Sequence, residues 1–211
     1  GYNSNANEAE NYRLIDEALS IAKESDIVFF IGGLNKNSSQ DSEGSDRQQY
    51  SLPYNQNDLI DSISGVNKNI AVILISGNAI SMPWLSNVKT VLQSWYLGSE
   101  AGNAMASIIS GEVNPSGKLP FTFPKKLMDN GAHYYGELSY PGNGETQFYK
   151  EDILVGYRWH DTKKIKPNFA FGHGLSYASF DLFGINSNKK SFSIADTIKI
   201  SCEIKNTGKI N

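Results

Sequence analysis

Two hydrophobic patterns alternate along residues 1–124. Residues 8–25 repeat apolar side chains at helical spacing, which predicts an amphipathic helix. Residues 26–33 and 70–76 are instead short, nearly continuous apolar runs. Such runs are typical of strands that are covered on both faces. The first part of the chain is therefore predicted to alternate helices with buried strands.

The alternation continues to the end of this part. Amphipathic segments cover residues 55–64 and 99–110, and short strands are predicted around residues 91–95 and at residues 119–123. Strands that alternate with helices indicate βαβ units and a mostly parallel sheet. We expect an α/β fold, specifically a flavodoxin-like three-layer sandwich.

The pattern changes after Pro124. Residues 125–149 lack periodicity and are rich in Gly, Tyr, Asn and Pro, and aromatic residues cluster from Tyr149 to Phe180. We therefore expect residues 125–180 to form an irregular, aromatic-rich connection that packs on the sandwich. Residues 181–211 end in an alternating pattern that predicts a half-buried strand of an antiparallel sheet. Its apolar positions are Ile198, Ile200, Cys202 and Ile204. Because one or two strands are marginal alone, we expect the rest of that sheet to lie beyond Asn211.

Composition limits the classes of function. The net charge is -3, so electrostatics give no case for binding nucleic acid or an anionic membrane. No apolar run has the length of a membrane span, and the single cysteine, Cys202, excludes an intrachain disulfide. No signal peptide is visible at Gly1, and we expect the chain to be a piece of a longer protein. Its location stays undetermined, with a periplasmic or secreted parent as our expectation.

The polar loop at residues 35–51 carries the candidate chemistry. It follows the first predicted strand and contains Ser42-Glu43-Gly44-Ser45-Asp46-Arg47. Open α/β sheets bind ligands at the carboxyl ends of their strands, and a partly shielded glutamate there is suited to general acid–base catalysis. The competing interpretation is that Asp41, Glu43 and Asp46 only solvate a surface loop, and charge pattern alone favours it. An Asp next to an Arg also more often fixes a loop than binds a substrate.

Other candidate groups have simpler explanations. Glu100 stands at the start of a predicted helix, where its charge favours the helix dipole. His133, His160 and His173 lack metal-ligand spacing and are expected to be surface or packing residues, so no metal or cofactor is predicted. The chain also lacks a G-x-S-x-G elbow and a phosphate-binding loop with its lysine.

Three blocks of residues, in the same order along the chain, resemble glycoside hydrolase family 3. The first comprises Glu43-Gly44-Ser45-Asp46-Arg47, Leu52-Pro53, Gln56 and Leu59-Ile60. The second comprises Trp95-Tyr96, Gly98, Glu100 to Ala104, Gly111 to Pro120 and Phe123-Pro124. The third comprises Tyr149 to Ile153, Val155 to Arg158 and Pro167 to Tyr177. Their order is more specific than any single block.

The resemblance implies a function. Members of this family are mostly retaining β-glycosidases that act on β-glucosides, β-xylosides and related sugars. An amino-terminal barrel carries the nucleophilic aspartate, and the α/β sandwich that follows carries the acid/base glutamate, which falls on Glu43 here. The alternation from Phe192 to Ile204 resembles the first strands of a fibronectin type III-like domain. The expected partners are a carbohydrate substrate and the barrel domain of the parent protein. Trp84 and Tyr50 could line an outer sugar subsite, although core packing is favoured for Trp84.

The resemblance also has departures. Asp152 stands where the family often has glycine, and Gly1-Tyr2 resembles the residues just past the family's first sandwich strand. A sheet without that strand would expose apolar surface, so we expect this chain to bind its amino-terminal remainder or to self-associate. Without a nucleophile it is expected to be inactive alone. Two alternatives remain: a non-catalytic sandwich that packs against another domain or binds sugar beside it, and a flavodoxin-like regulator.

Overall fold

The computed structural model describes residues 8–37 and 39–210 of the chain. Its helices are α1 (Glu8–Glu24), α2 (Gln56–Val66), α3 (Ala101–Ile109), α4 (Gly131–Tyr134) and α5 (Tyr157–Lys163). Its strands are β1 (Val28–Gly33), β2 (Ile70–Ile75), β3 (Thr90–Gln93), β4 (Phe180–Ser187) and β5 (Ile200–Asn206). The chain divides into two compact units, one made of Gly1–Ala101 with Leu119–His173 and the other of Gly102–Lys118 with Gly174–Asn211.

A parallel sheet in the order β1-β2-β3 forms the centre of the first unit. Its register pairs Val28 with Ile70 and Ala71 with Thr90. The predicted α/β class with a parallel sheet is confirmed. β1 and β2 lie within apolar runs of the sequence, and β3 overlaps the strand predicted around residues 91–95 but begins one residue earlier. The boundaries proposed at residues 124 and 180 stay predictions.

The main hydrophobic cluster lies on one face of this sheet, against α1 and α2, and Ile73 of β2 is buried on the other face at 1% exposure. Ile70, Val72 and Leu74 of β2 are at most 2% exposed and pack with side chains such as Ile60 of α2. Alternate residues of β1 point to the other face, where Phe29 is 42% exposed and Ile31 is 55% exposed. The two faces of this sheet are therefore covered unequally among the described residues.

Gly33 and Gln56 make close contacts at the carboxyl end of β1. A Cβ atom at Gly33, whose φ is +141°, would lie 1.9 Å from the carbonyl oxygen of Ile75. Gln56, the first residue of α2, accepts a hydrogen bond from the Gly33 amide at 2.8 Å and donates one to the Gly33 carbonyl at 2.9 Å. This tight closure fixes where the polar loop leaves the sheet.

Residues 119–123 differ from the prediction of a strand. Phe123 forms a single antiparallel bridge with Phe169, and the Leu119 amide donates to the His173 carbonyl at 2.8 Å. The segment thus pairs with residues near 170 and adds no strand to the parallel sheet. Pro120 and Pro124 explain this, because proline has no amide hydrogen to donate to a ladder.

The second unit contains an antiparallel pair of β4 and β5 with an irregularity between Phe183 and Asn186. All residues of both strands are exposed, so the apolar face predicted to be half-buried is open within the described residues. Asn114 ties the segment before β4, since its Oδ1 accepts hydrogen bonds from the Ser176 hydroxyl and the Tyr177 amide at 3.1 and 2.9 Å.

Two expectations concern other parts of the chain. Gly1-Tyr2, which we compared with the residues just past the family's first sandwich strand, lie outside the described residues. Among the described helices, none combines the length and the apolarity that crossing a bilayer requires.

Candidate active site

A cavity of about 560 Å³ opens at the carboxyl ends of β1 and β2 in the first unit. The polar loop after β1, the turn after β2, Tyr96 after β3 and side chains from residues 121–140 line it. It brings together Glu43, Asp46 and Arg47 of the sequence-predicted segment. The cavity volume falls in the range of small-molecule sites.

The start of the loop is folded by local hydrogen bonds. Asn35 Oδ1 accepts from the Asn37 amide at 2.8 Å, and Gln40 Oε1 accepts from the Asn35 amide at 3.0 Å. Gln40 is 8% exposed and donates to the Tyr54 hydroxyl at 2.8 Å. A buried glutamine with both ends paired holds this part of the loop against the start of α2.

Asp41 connects the loop to the ends of two strands. Its Oδ2 accepts hydrogen bonds from the Gly77 amide at 2.6 Å and the Tyr96 hydroxyl at 2.9 Å, and its Oδ1 accepts from Asn78 Nδ2 at 2.9 Å. Burial opposes ionisation of Asp41, but these hydrogen bonds and the charge of Arg47 outweigh it and lower the pKa of the carboxyl below its ordinary value. Asp41 is therefore a structural carboxylate rather than a solvating one.

Arg47 anchors the far side of the loop. Its Nη2 donates to the Ala79 carbonyl at 2.6 Å, and its guanidinium lies over the Tyr50 ring with 6.0 Å between the guanidinium carbon and the ring centroid. Nη1 is buried and has no hydrogen-bond partner among the described residues. Burial lowers the pKa of Arg47, and the nearby charge of Asp41 counteracts this in part. Both ends of the loop therefore attach to the turn after β2.

Asp46 is held by a residue far along the chain. Tyr140 donates its hydroxyl hydrogen bond to Asp46 Oδ2 at 2.7 Å, and this bond, together with burial and the charge of Asp46, raises the pKa of Tyr140. The Tyr140 ring lies 4.7 Å from the ring of His133, whose pKa is lowered by burial. Asp46 and Arg47 thus each bond to the fold through separate partners, as a loop-fixing pair would.

Glu43 lies at the tip of the turn between these anchors. Its side chain is exposed and, within the described part of the chain, makes no hydrogen bond or ion pair. The hydroxyl oxygens of Ser42 and Ser45 are 3.0 Å apart and close the turn beneath it. Gly44 adopts φ +80°, a left-handed conformation that glycine adopts without strain. Glu43 is thus a free carboxylate on a loop that is fixed on both sides.

The other sequence candidates lie in different environments. Trp84 is 1% exposed and donates its indole N–H to Asn57 Oδ1 at 2.8 Å, so it belongs to the core as favoured. Tyr50 lines the cavity, and its hydroxyl donates to the Pro124 carbonyl at 2.8 Å. His160 is 6% exposed, and His173 packs against Phe169 with 5.0 Å between ring centroids. Glu100 directly precedes α3.

Several cavity residues escaped the sequence reasoning. Tyr140, Tyr96 and Asn78 lie between 37 and 94 residues from the acidic side chains that they contact. His133 was noted in the sequence only as a surface or packing residue. No local pattern marks such contacts, although Tyr96 belongs to the second block of the family resemblance. In the described ranges, no three His, Cys, Asp or Glu side chains are grouped so that they could hold a metal ion.

Comparison with known proteins identifies the family. Residues 3–177 match the model of the family described as "Glycosyl hydrolase family 3 C-terminal domain". The chain is 51% identical over 197 residues to Beta-glucosidase BoGH3A of Bacteroides ovatus, with 93% of this chain and 26% of that protein covered. It is 43% identical over 204 residues to Thermostable beta-glucosidase B of Acetivibrio thermocellus, with 97% of this chain and 26% of that protein covered.

Solved structures agree with this result. The chain superimposes on DesR, a β-glucosidase of Streptomyces venezuelae solved in complex with D-glucose, with a TM-score of 0.87 and 36% identity. That match covers 96% of this chain and 25% of DesR, so the chain spans about a quarter of the length of the proteins it matches. The family match and these similarities show that the chain belongs to the C-terminal domain family of the family 3 glycosyl hydrolases.

Proposed function

We propose that this chain supplies the general acid/base carboxylate, Glu43, of a retaining β-glycosidase. The observation that carries the proposal is the contrast between Glu43 and its surroundings. Glu43 is exposed and without a partner among the described residues, yet it lines the cavity on a loop that Asp41, Asp46 and Arg47 bond to the rest of the fold. A proton shuttle needs this combination, because it must reach the substrate, exchange a proton freely and keep its position.

The neighbouring carboxylates are unsuited to the same task. Asp41 accepts three hydrogen bonds and Asp46 accepts one from Tyr140. Hydrogen bonds to the ionised form stabilise it, so such a carboxylate gives up its role as an anchor if it takes a proton. Of the three acids on the loop, Glu43 alone can change its protonation state without breaking a contact among the described residues.

The reaction requires a second carboxylate from elsewhere. Retaining glycosidases hold two carboxyl groups about 5–5.5 Å apart. In the first step, protonated Glu43 donates its proton to the glycosidic oxygen while the bond to the sugar carbon breaks and the second carboxylate forms a bond to that carbon. In the second step, Glu43 takes a proton from water while the water oxygen replaces the carboxylate. Glu43 thus ends protonated, as it began.

The substrate class and the partner follow from the relatives. Proteins named β-glucosidases share this domain and are about four times as long, since the chain covers 26% of each of the two relatives above. We therefore assign terminal β-linked glucosides or related sugars as substrates and a nucleophile-bearing domain of the parent protein as the partner. The chain by itself is inactive in this proposal.

The test is the substitution Glu43→Gln in the full-length protein, with Glu24→Gln as an exposed control. Removal of the acid should lower kcat/KM by roughly 100- to 10,000-fold for aryl glucosides with poor leaving groups, and far less for activated ones, which need no proton. Azide should restore turnover of an activated glucoside by Glu43→Ala and yield a glycosyl azide, because azide attacks without a base. Equal losses on all substrates would refute the acid role.

A second candidate function is carbohydrate binding without catalysis. The observation that favours it is the aromatic side chains of the cavity, which include Tyr50, Tyr96, Phe121 and Tyr140. Aromatic faces stack on sugar rings whether or not a proton is transferred. Full activity of Glu43→Gln on poor leaving groups, combined with weaker sugar binding in Tyr96→Ala, would support this function instead.

A further inference from the structure

Asp41 makes more contacts with the fold than any other acidic side chain on the Glu43 loop. It bonds to Gly77 and Asn78 after β2 and to Tyr96 after β3, whereas Asp46 and Arg47 each make one bond to the rest of the fold. The three donors converge on the two oxygens of one carboxylate. One side chain therefore ties the loop to the ends of two neighbouring strands.

Asp41 and the backbone of residue 77 approach closely because residue 77 is glycine. A Cβ atom at position 77 would lie 3.3 Å from Asp41 Oδ2 and 3.2 Å from Tyr96 Cε2. A side chain there would crowd the carboxylate, so the absence of one at Gly77 lets the Asp41 oxygen reach the backbone amide at 2.6 Å. Charge-assisted bonds of this length are stronger than those between neutral groups.

Glu43 is only two residues from this anchor. Two peptide units span at most about 7 Å, so the position of Asp41 limits where the Glu43 backbone can lie. The Ser42–Ser45 contact closes the intervening turn, and Glu43 has no contact of its own that would fix it within the described residues. Its placement therefore depends on residues that do not take part in the proton transfer.

We propose that Asp41 is the positioning residue of the acid/base carboxylate. It holds the Glu43 turn over the cavity by binding Gly77, Asn78 and Tyr96, and it acts on the reaction through Glu43 alone. This inference rests on the proposed function, and it adds a second acid with a distinct role. Loss of the anchor moves the proton donor, which matters most when the leaving oxygen needs the proton.

The hydrogen-bond directions give a sharp test. Replacement of Asp41 by Asn places an amide group, a donor, where the carboxylate accepted from Asn78. In Asp41→Asn the new Nδ2 and Asn78 Nδ2 face each other as two donors, and if the Asn78 amide rotates by 180° to present its Oδ1, the bond re-forms without the charge of the carboxylate. Asn78→Asp in that background restores a donor–acceptor pair with the roles reversed, and the new Oδ1 can still accept from Gly77 and Tyr96. Asn78→Asp alone instead places two carboxylates side by side.

The experiment measures kcat/KM of the full-length protein for aryl β-glucosides that cover a range of leaving-group pKa. Asp41→Asn should lose roughly 10- to 100-fold on poor leaving groups, as a displacement of about 1 Å can cause, and little on activated ones. Asn78→Asp should show the same pattern, and the double variant should recover most of the loss. Asp16→Asn, on the exposed face of α1, serves as the control.

Three outcomes would overturn the positioning role. If Asp41→Asn lowers kcat/KM equally for all leaving groups, its effect is structural only. The same conclusion follows if the variant has a lower Tm but kcat/KM depends on the leaving-group pKa as in the wild type. Failure of the double variant to recover would exclude the Asp41–Asn78 pair as the determinant.

If Asp41→Asn does not fold, Tyr96→Phe provides a second test. It removes one of the three hydrogen bonds to Asp41 and should give a smaller loss of the same kind. A leaving-group effect in Glu43→Gln but not in these variants would refute only this inference, because the acid role would stand.

Discussion

The hydroxyl of Tyr140 donates a hydrogen bond of 2.7 Å to Asp46, 94 residues earlier in the chain. Through this bond the irregular region after Pro124 closes over the loop that carries Glu43. The aromatic-rich connection is thus part of the cavity wall, and Tyr140, His133 and Leu127 all line it. The contact joins the two sequence regions that carry the least regular structure.

Tyr140→Phe is expected to loosen this closure. The variant loses one charge-assisted hydrogen bond, which should cost about 1–2 kcal/mol of stability and lower Tm. The loop should also become more accessible, which would appear as faster limited proteolysis between residues 39 and 50. Tyr149→Phe is the control because Tyr149 is 72% exposed. Equal cleavage rates in the two variants would contradict the anchoring role of Tyr140.

Tyr96 should make the fold sensitive to alkali. Burial, followed by the hydrogen bond to Asp41 and the charge of Asp41, raises the pKa of Tyr96 to about 12 from its ordinary value of 10.0. A folded-state pKa above the unfolded one stabilises the fold fully below pH 10, and this contribution is lost as the pH rises towards 12. Tyr96→Phe should therefore reduce the fall in unfolding free energy over this interval.

Tyr50 is a second tyrosine that should destabilise the fold in alkali. Burial raises its pKa too, so some alkaline destabilisation should persist in Tyr96→Phe. The quantity to compare is the difference between wild type and variant in denaturant unfolding at pH 8 and at alkaline pH. A difference that stays constant with pH would show that the Tyr96 phenol titrates alike in the folded and unfolded states.

Asp41 should have the opposite pH dependence. Its pKa is lowered in the folded state from an ordinary value of 3.8, so its stabilising contribution is present above that value and is lost as the pH falls through the folded-state pKa. The stability difference between wild type and Asp41→Asn should therefore be constant near neutral pH and shrink in acid. Acid titrations of the unfolding free energy, with Asp16→Asn as the control, measure this directly.

Trp84 should matter for stability and not for substrate binding. Its side chain is buried in the core, away from the residues that line the cavity. Trp84→Ala should cost about 3–5 kcal/mol, and Trp84→Phe less, because phenylalanine fills most of the space but leaves Asn57 without its indole donor. The KM of the full-length Trp84→Phe variant should match the wild type. A large change in KM would revive the interpretation of Trp84 as a sugar subsite.

The open face of β1 is expected to drive self-association of the 211-residue chain. Phe29 and Ile31 are exposed on this face, and β1 lies at the edge of the described sheet. Sedimentation velocity should show an average mass that rises with concentration. Ile31→Lys should reduce that rise, whereas Lys23→Arg, a conservative change on exposed α1, should not. Monomeric wild type at all concentrations would contradict the expectation.

The sequence predicted regular elements well where periodicity and burial agree. β1 and β2 fall in apolar runs, because a parallel sheet needs strands that are apolar on both faces, and α1 and α2 largely coincide with the amphipathic segments. The prediction failed at residues 119–123, a segment that contains Pro120 and is followed by Pro124, because it pairs with another segment instead. Strand propensity alone cannot choose between partners, since partner choice depends on contacts distant in sequence.

The site was predictable only in part, for a related reason. The family resemblance pointed to Glu43, and the glycine beside it indicated a sharp bend. The loop that carries Glu43 is held through Asp41 and Asp46 by Gly77, Asn78, Tyr96 and Tyr140, which come from three separate regions of the chain. Asp41 was expected only to solvate the loop, because its hydrogen-bond partners lie 36 to 55 residues away.

The freedom of the Glu43 side chain also makes this position suitable for spectroscopic labelling. A cysteine introduced there could carry a spin label or fluorophore with little effect on packing, since the side chain contacts nothing among the described residues. Cys202 is the single native thiol and is exposed, so it would first be replaced by serine. In the full-length protein that we propose, distances from this label to a second label on the nucleophile-bearing domain would then measure the separation of the two domains.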